Sequence, residues 1–482
     1  MSPISVLITI AAYFIILFTV SYIAGRKADN EGFFVGNRKS AWYVVAFAMI
    51  GSSISGVTFV SVPGMVGASG FAYLQMVLGF VAGQLIIAFV LVPLFYRMKL
   101  VSIYEYLENR FGASSYKTGA WFFFISKMLG AAVRLFLVCL TLQLLVFEPL
   151  HLPFILNVIL TVALVWLYTF RGGVKSLIWT DSLKTFCLVV SVVLCIYFIA
   201  SDLKLSFGGM IATIQESDLS RMFFFDDVND KRYFFKQFLA GVFTMIAMTG
   251  LDQDMMQRNL SCKNFKDSQK NMITSGISQF FIILLFLMLG VLLYTFTARQ
   301  GIENPAKSDQ LFPMIATGGY FPAIVGILFI IGLISSAYSA AGSALTALTT
   351  SFTVDILGAK DRTESVLVKI RKRVHVGMAI VMGIVIFVFN LLNNTSVIDA
   401  VYILASYTYG PILGLFAFGI FTRKQVYDRY IPLVAIASPI LCFILQKNSE
   451  AWFNGYQFSY ELLIFNTLFT FMGLCLLIKK NH

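Results

Sequence analysis

Charge is scarce in this chain. Only 12% of its 482 residues are Asp, Glu, Lys or Arg, against roughly 25% in a soluble domain. Hydrophobic residues make up 58%, and mean hydropathy is +0.82. A soluble fold could not hide that much apolar surface, whereas lipid does not require it to be hidden. Histidine is scarcer still. His151, His375 and His482 stand far apart in sequence, which excludes a zinc or haem constellation, an HExxH protease and a Ser/His/Asp hydrolase. The chain is therefore expected to be no enzyme and to hold no organic cofactor. Cys139, Cys187, Cys195, Cys262, Cys442 and Cys475 contain no CxxC pair, and five lie in apolar runs, reading as buried free thiols. No basic segment or small-residue cleavage site marks the N-terminus, so the first apolar run reads as retained. A re-entrant pore loop is lacking, against a channel. Nothing follows Lys479-Lys480-Asn481-His482 that reads as the signalling domain of a sensor.

What is present is a series of apolar runs, each long enough to cross a bilayer. They fall near 4–24, 41–67, 71–96, 119–147, 153–170, 177–200, 235–256, 273–298, 321–350, 374–392, 396–420, 431–446 and 460–478. An all-α membrane protein of about thirteen transmembrane helices is expected. The net charge of +12 does not point to nucleic acid, because the basic residues occupy short connections between apolar runs. If the first loop is cytoplasmic, roughly 25 Lys and Arg lie on that side and about 7 on the other. The reading is a multi-pass protein of the bacterial inner membrane, N-terminus outside and C-terminus cytoplasmic. The longest outer loop, 201–234, is acidic and aromatic and is expected to carry a short surface helix.

Two spans make poor helices. One contains Gly51-Ser52-Ser53-Ile54-Ser55-Gly56-Val57-Thr58 followed by Pro63-Gly64, and the other Thr249-Gly250-Leu251-Asp252-Gln253-Asp254. Glycine and serine at this density weaken a helix. Irregular backbone at membrane depth survives only inside protein or against a cavity. The two spans lie five apart, the spacing of two five-helix inverted repeats that each open on a broken helix. Alternating access by a secondary transporter follows. Arg134 stands near the middle of the fourth span, roughly 20 Å from either end, and an intramembrane arginine is a functional-site signal because guanidinium binds carboxylates in a bidentate fork. Lys127, two turns away on the same face, reads as an anchor for the helix end. Asp399 reads as a helix cap, and Ser406, Tyr407, Thr408 and Tyr409 as cavity or gate residues.

Five motifs then stand in order. They are Phe59-x-x-x-Pro63-Gly64; Ser102-x-Tyr104-Glu105-Tyr106-Leu107-Glu108-x-Arg110-Phe111; Gly172-Gly173-x-Lys175-x-x-x-Trp179-Thr180-Asp181; Gln253-Asp254-x-x-Gln257-Arg258; and Gly410-Pro411-x-x-Gly414-x-Phe416-x-x-Gly419-x-Phe421. Together they resemble the sodium:solute symporter family over residues 26–421. The resemblance implies a LeuT-type fold: an N-terminal helix and loop (1–40), a first five-helix repeat (41–200), an outer loop (201–234), a second repeat (235–421) and accessory C-terminal helices (422–482). It also implies sodium-coupled symport of a small polar organic solute, with lipid as the surroundings and a monomer or weak oligomer as the working unit.

On the family pattern the sodium ligands fall on the backbone carbonyls of Gly51, Ile54 and Ser336 and on the Ser339 side chain, with Ala340 where a further hydroxyl is expected. A second sodium or coupling site would use Asp181, Ser339 and Ser343, with Gly342 where another hydroxyl is expected. Arg134 aligns with an arginine that binds the substrate carboxylate in the family's sialic acid transporters. Ser53, Ser55 and Thr58 take the matching hydroxyl positions on the broken helix. The glutamine expected on the next helix is Val77, with Gln75 close by. Lys184, one turn from Asp181, replaces a family glutamine. It is expected either to form an ion pair with Asp181 or to act as a coupling modifier that stands in for a sodium ion. Two alternatives stay open: proton-coupled or uncoupled transport with Lys184 replacing sodium, and a neutral sugar or polyol as solute.

Overall fold

The computed structural model describes residues 3–25, 42–98, 103–169, 174–260, 262–357, 364–392 and 397–479. Among these the fold is entirely helical, with no strand beyond one isolated bridge between Val426 and Ile478. The helices are α1 Pro3–Gly25, α2 Trp42–Ser53, α3 Gly56–Ser69, α4 Ala72–Met98 and α5 Ala113–Phe147. There follow α6 Phe154–Thr169, α7 Val174–Asp202, α8 Phe207–Glu216 and α9 Phe234–Gly250. The second half holds α10 Gln253–Asn259, α11 Phe265–Gln300, α12 Ala323–Ser351 and α13 Glu364–Leu392. It closes with α14 Val397–Phe421, α15 Ile431–Trp452 and α16 Leu462–Leu476.

Seven of these helical stretches are long and apolar enough to cross a membrane, and two bent pairs raise the number to nine. Four further apolar helical stretches, at 4–16, 154–167, 234–250 and 462–476, stand beside them. The first bent pair, α2 and α3, turns by 52°. The break falls on Ile54 and Ser55, inside the Gly/Ser run, and faces α12: a Cβ on Gly56 would lie 3.2 Å from the Leu333 side chain and 3.6 Å from Ser336 Cβ. The Ser55 hydroxyl restarts the helix by accepting from the Thr58 amide at 3.3 Å. The second pair turns 94° from α7 into α8, the short helix expected in the outer loop.

The other weak span also breaks. α9 ends in a wide π turn at Gly250, Asp252 caps α10, and the Tyr104 hydroxyl donates to the Leu251 carbonyl at 2.9 Å. The halves of the chain meet where α4 crosses α9. A Cβ on Gly79 would sit 2.1 Å from the Phe238 carbonyl oxygen, and one on Gly241 would sit 2.1 Å from that of Met76. Only glycine permits so close a backbone approach. At the opposite end of α5, Asp428 accepts from the Ser114 and Ser115 amides at 2.8 and 2.9 Å, capping that helix from the start of α15. Of the five cysteines in apolar runs, Cys139, Cys187, Cys195 and Cys442 are buried free thiols, as expected, and Cys475 is exposed instead; Cys262, in a connection, is buried as well.

Candidate functional site

A cavity opens where both helix breaks face α5, α12 and α14. Each of the three continuous helices presents one face to it. From α5 come Ser126, Lys127, Gly130, Ala131 and Arg134; from α12 come Ser336, Ser339, Ala340, Ser343 and Ala344. Both sets follow the spacing that stacks side chains along one helix face. The α2–α3 break contributes Ser52, Ser53, Ser55 and Thr58, and the α9–α10 break Thr249, Asp252, Asp254 and Arg258. Val401, Tyr402, Ala405 and Tyr409 close the α14 side.

One end of the cavity is built from four charges. Lys127 Nζ lies 3.1 Å from Asp252 Oδ2 and 3.6 Å from Asp254 Oδ2. Asp252 also accepts from the Tyr409 hydroxyl at 3.1 Å and from the Met255 amide at 3.2 Å. Asp254 accepts from the Ser343 hydroxyl at 3.1 Å and faces Arg258 at 3.5 Å. The Arg258 guanidinium reaches across to the Ser52 and Ser343 hydroxyls. These contacts tie together α2, α5, α10, α12 and α14. Near the other end, Tyr73 and Tyr402 share a hydroxyl–hydroxyl bond of 2.7 Å, and Tyr460 donates to Asp399.

Arg134 differs from the other cations. It lines the cavity together with Tyr402 and Tyr409. Among the described residues no carboxylate or hydrogen-bond acceptor is paired with it. The cavity thus holds, among the described residues, three cations and two carboxylates, and the unmatched charge is Arg134.

Of the residues expected to bind solute, Ser53, Ser55, Thr58 and Arg134 line the cavity, and two do not. Gln75 is fully buried, donates to the Arg232 carbonyl at 2.8 Å and accepts from the Phe224 amide at 3.1 Å, which spends its amide on holding the outer loop. Ser406 donates to the Tyr402 carbonyl at 2.8 Å and, with Gly410 and Gly414, forms the α14 face that packs on α16. Tyr407 likewise turns from the cavity to Gln446. Lys127 is no interfacial anchor, since its ammonium is enclosed by two acids. Asp252, Asp254 and Arg258 were visible in the sequence as charges in an apolar span, the signal that would have placed them here.

Of the expected sodium positions, Ser336, Ser339 and Ser343 line the cavity. The Ser336 hydroxyl is buried beside the α2–α3 break, with no hydrogen-bond partner among the described residues. Gly51 and Ile54 are buried at the end of α2 and in the break itself. Asp181 and Lys184 belong to α7, whose side chains are described only from Phe186 onward, so the side chains of both lie outside the description.

This chain is 25% identical to the sodium/sialic acid symporter NanT of Aliivibrio fischeri over 84% of its own length and 80% of that protein. It is 23% identical to the human sodium/iodide cotransporter over 83% of its length and 63% of that protein. A solved substrate-bound, outward-open Na+-coupled sialic acid symporter shares the fold, with a TM-score of 0.81 at 19% identity over 99% of both chains. A model of the sodium:solute symporter family matches residues 33–427, from before the first helix break to beyond α14. The chain belongs to the sodium:solute symporter family, and sodium-coupled symport of a solute is its activity.

Proposed function

We propose that the solute is a small carboxylated anion, a sialic acid, a sugar acid or a similar molecule, held by Arg134 and by the hydroxyls of Ser53, Ser55 and Thr58. The observation that carries this reading is the unmatched guanidinium. An uncompensated charge at membrane depth is costly, and a carboxylate neutralises it with two charge-assisted hydrogen bonds. A neutral sugar or polyol would leave Arg134 without a counter-charge. The relatives named for sialic acid and iodide are named for anions, which supports the same class.

Sodium is read into the space between the α2–α3 break and α12, with the carbonyls of Gly51, Ile54 and Ser336 and the Ser339 hydroxyl as its ligands. Asp181 and Ser343 remain the proposed second site. Ser343 there would be shared with Asp254 and Arg258. Two repeats, 41–200 and 235–421, rock around this centre, with 1–40, the outer loop 201–234 and 422–482 attached to them. The chain works as a monomer or weak oligomer in a bacterial inner membrane, N-terminus outside and C-terminus in the cytoplasm.

The test is uptake into proteoliposomes of N-acetylneuraminate, glucuronate, lactate, glucose and mannitol, each with and without an inward sodium gradient. Sodium-driven uptake confined to the three anions is the expected result. Uptake of glucose or mannitol in preference to all three would overturn the reading.

A further inference from the structure

We propose that Lys127 is a second anion-binding station, taken over by the solute carboxylate from Asp252 and Asp254 as the solute leaves the cavity. The proposal rests on the reading of the solute as a carboxylated anion.

Lys127 and Arg134 are seven residues apart on α5 and line one cavity, which places them about 10 Å apart along the helix axis on nearly the same face. A carboxylate leaving Arg134 toward the four-charge end meets Lys127 next. There Lys127 of α5 is paired with Asp252 and Asp254, at the start of the short segment beyond the second helix break.

The bonds of the cluster are unequal in what they leave behind when they part. If Lys127 lets go, Asp252 keeps the Tyr409 hydroxyl and the Met255 amide, and Asp254 keeps Ser343 and Arg258. Both acids stay hydrogen-bonded, Asp254 to a cation and Asp252 to neutral donors. The ammonium does not. Among the described residues its anionic contacts are those two carboxylates, and what remains is the Phe123 ring at 5.9 Å. A freed ammonium in a low-dielectric surround needs another anion. The solute supplies one, so at the ammonium the exchange replaces a carboxylate with a carboxylate. Side-chain exposures of 11% for Lys127 and 25% for Asp254 leave the pair open to attack from the cavity.

The experiment separates station from lock. Whichever of radiolabelled N-acetylneuraminate, glucuronate or lactate the wild-type chain takes up serves as the probe. Sodium-dependent equilibrium binding and efflux from preloaded proteoliposomes are both measured. Lys127→Gln should bind the probe within about threefold of wild type yet release it at least about tenfold more slowly, and Lys127→Arg should restore release. Asp252→Asn, which keeps an acceptor for Tyr409, should slow release by less than about threefold. Unchanged release in Lys127→Gln would overturn the proposal. So would equal slowing in Lys127→Gln and Asp252→Asn, which would make the ion pair a structural lock, and so would loss of binding together with release. Should Lys127→Gln not fold, the double variant Lys127→Gln/Asp252→Asn carries the same comparison against Asp252→Asn alone. Wild-type failure to take up any of the three anions would sink the solute reading, and this proposal with it. Uptake by wild type with unaltered release in the variant sinks this proposal alone.

Discussion

Lys127 and Arg134 project from one face of one helix into one cavity, and only Lys127 meets carboxylates there. The contrast gives the two cations different sensitivities. Arg134→Lys keeps the charge but loses the bidentate fork, worth about 1.5–3 kcal/mol for a hydrogen bond to a charged group. The KM for an anionic solute should rise about 10- to 100-fold while the thermal unfolding midpoint in detergent stays put. Unchanged uptake would make Arg134 structural and return neutral solutes to contention.

The two α12 serines beside the first break should respond differently to alanine. Ser339→Ala removes a proposed ligand, and the sodium concentration for half-maximal uptake should rise about tenfold, equivalent to about 1.4 kcal/mol. Ser336→Ala keeps the carbonyl and removes a buried hydroxyl that has no hydrogen-bond partner. Its sodium dependence should not move, and its stability should hold or rise slightly. A large sodium shift in Ser336→Ala would instead make that hydroxyl a ligand. Titration of uptake against external sodium distinguishes the outcomes.

Sodium coupling comes with the family, so Lys184 is not expected to replace the ion. Lys184→Gln restores the residue common in the family and should leave sodium-driven uptake within about threefold of wild type, because an ion pair one turn long is worth little. A gain of sodium dependence would identify a tethered cation, since an ammonium close to a sodium ion repels it by several kcal/mol at intermediate dielectric.

Asp309, in the connection between α11 and α12, accepts from the Val397 amide at 2.9 Å and so caps α14 from outside that helix. Burial pushes its carboxyl above the usual carboxylate range, against the opposing hydrogen bond from that amide. The folded protein therefore holds this proton more tightly than the unfolded chain does. Stability from this group is present at low pH and is lost as pH rises from the ordinary carboxylate pKa through the raised one. Asp309→Asn should flatten that part of the profile, measured as unfolding midpoint against pH. A variant that keeps the wild-type slope would assign the slope to another group.

The sequence showed clearly what its composition makes expensive. The Gly51–Gly56 run announces a helix break because glycine and serine cost helix stability wherever they stand. Arg134 announces a site because a guanidinium at mid-span is costly unless a counter-charge meets it. Orientation around a helix was harder to read. Ser406 and Ala405 are neighbours in the chain, and only the packing of Asn466 against the Ser406 and Tyr407 carbonyls determines which of them faces the cavity. Gln75 is two residues from Val77, where a glutamine was expected, but its partners lie more than a hundred residues away in a loop whose path no periodicity describes. Lys127 was misread for the same reason. A lysine two turns from mid-helix looks like a snorkelling anchor until the second break brings Asp252 and Asp254 to it.

The crossing at Gly79 and Gly241 bears on what is able to move. With each glycine Cα set against the other helix's backbone, α4 and α9 have no side-chain cushion between them in which to slide. Any displacement of one drags the other, as in a riveted joint. A change of access then draws on the breaks at Ile54–Ser55, one helix before α4, and at Leu251–Asp252, at the end of α9, and the two breaks are coupled through this close crossing.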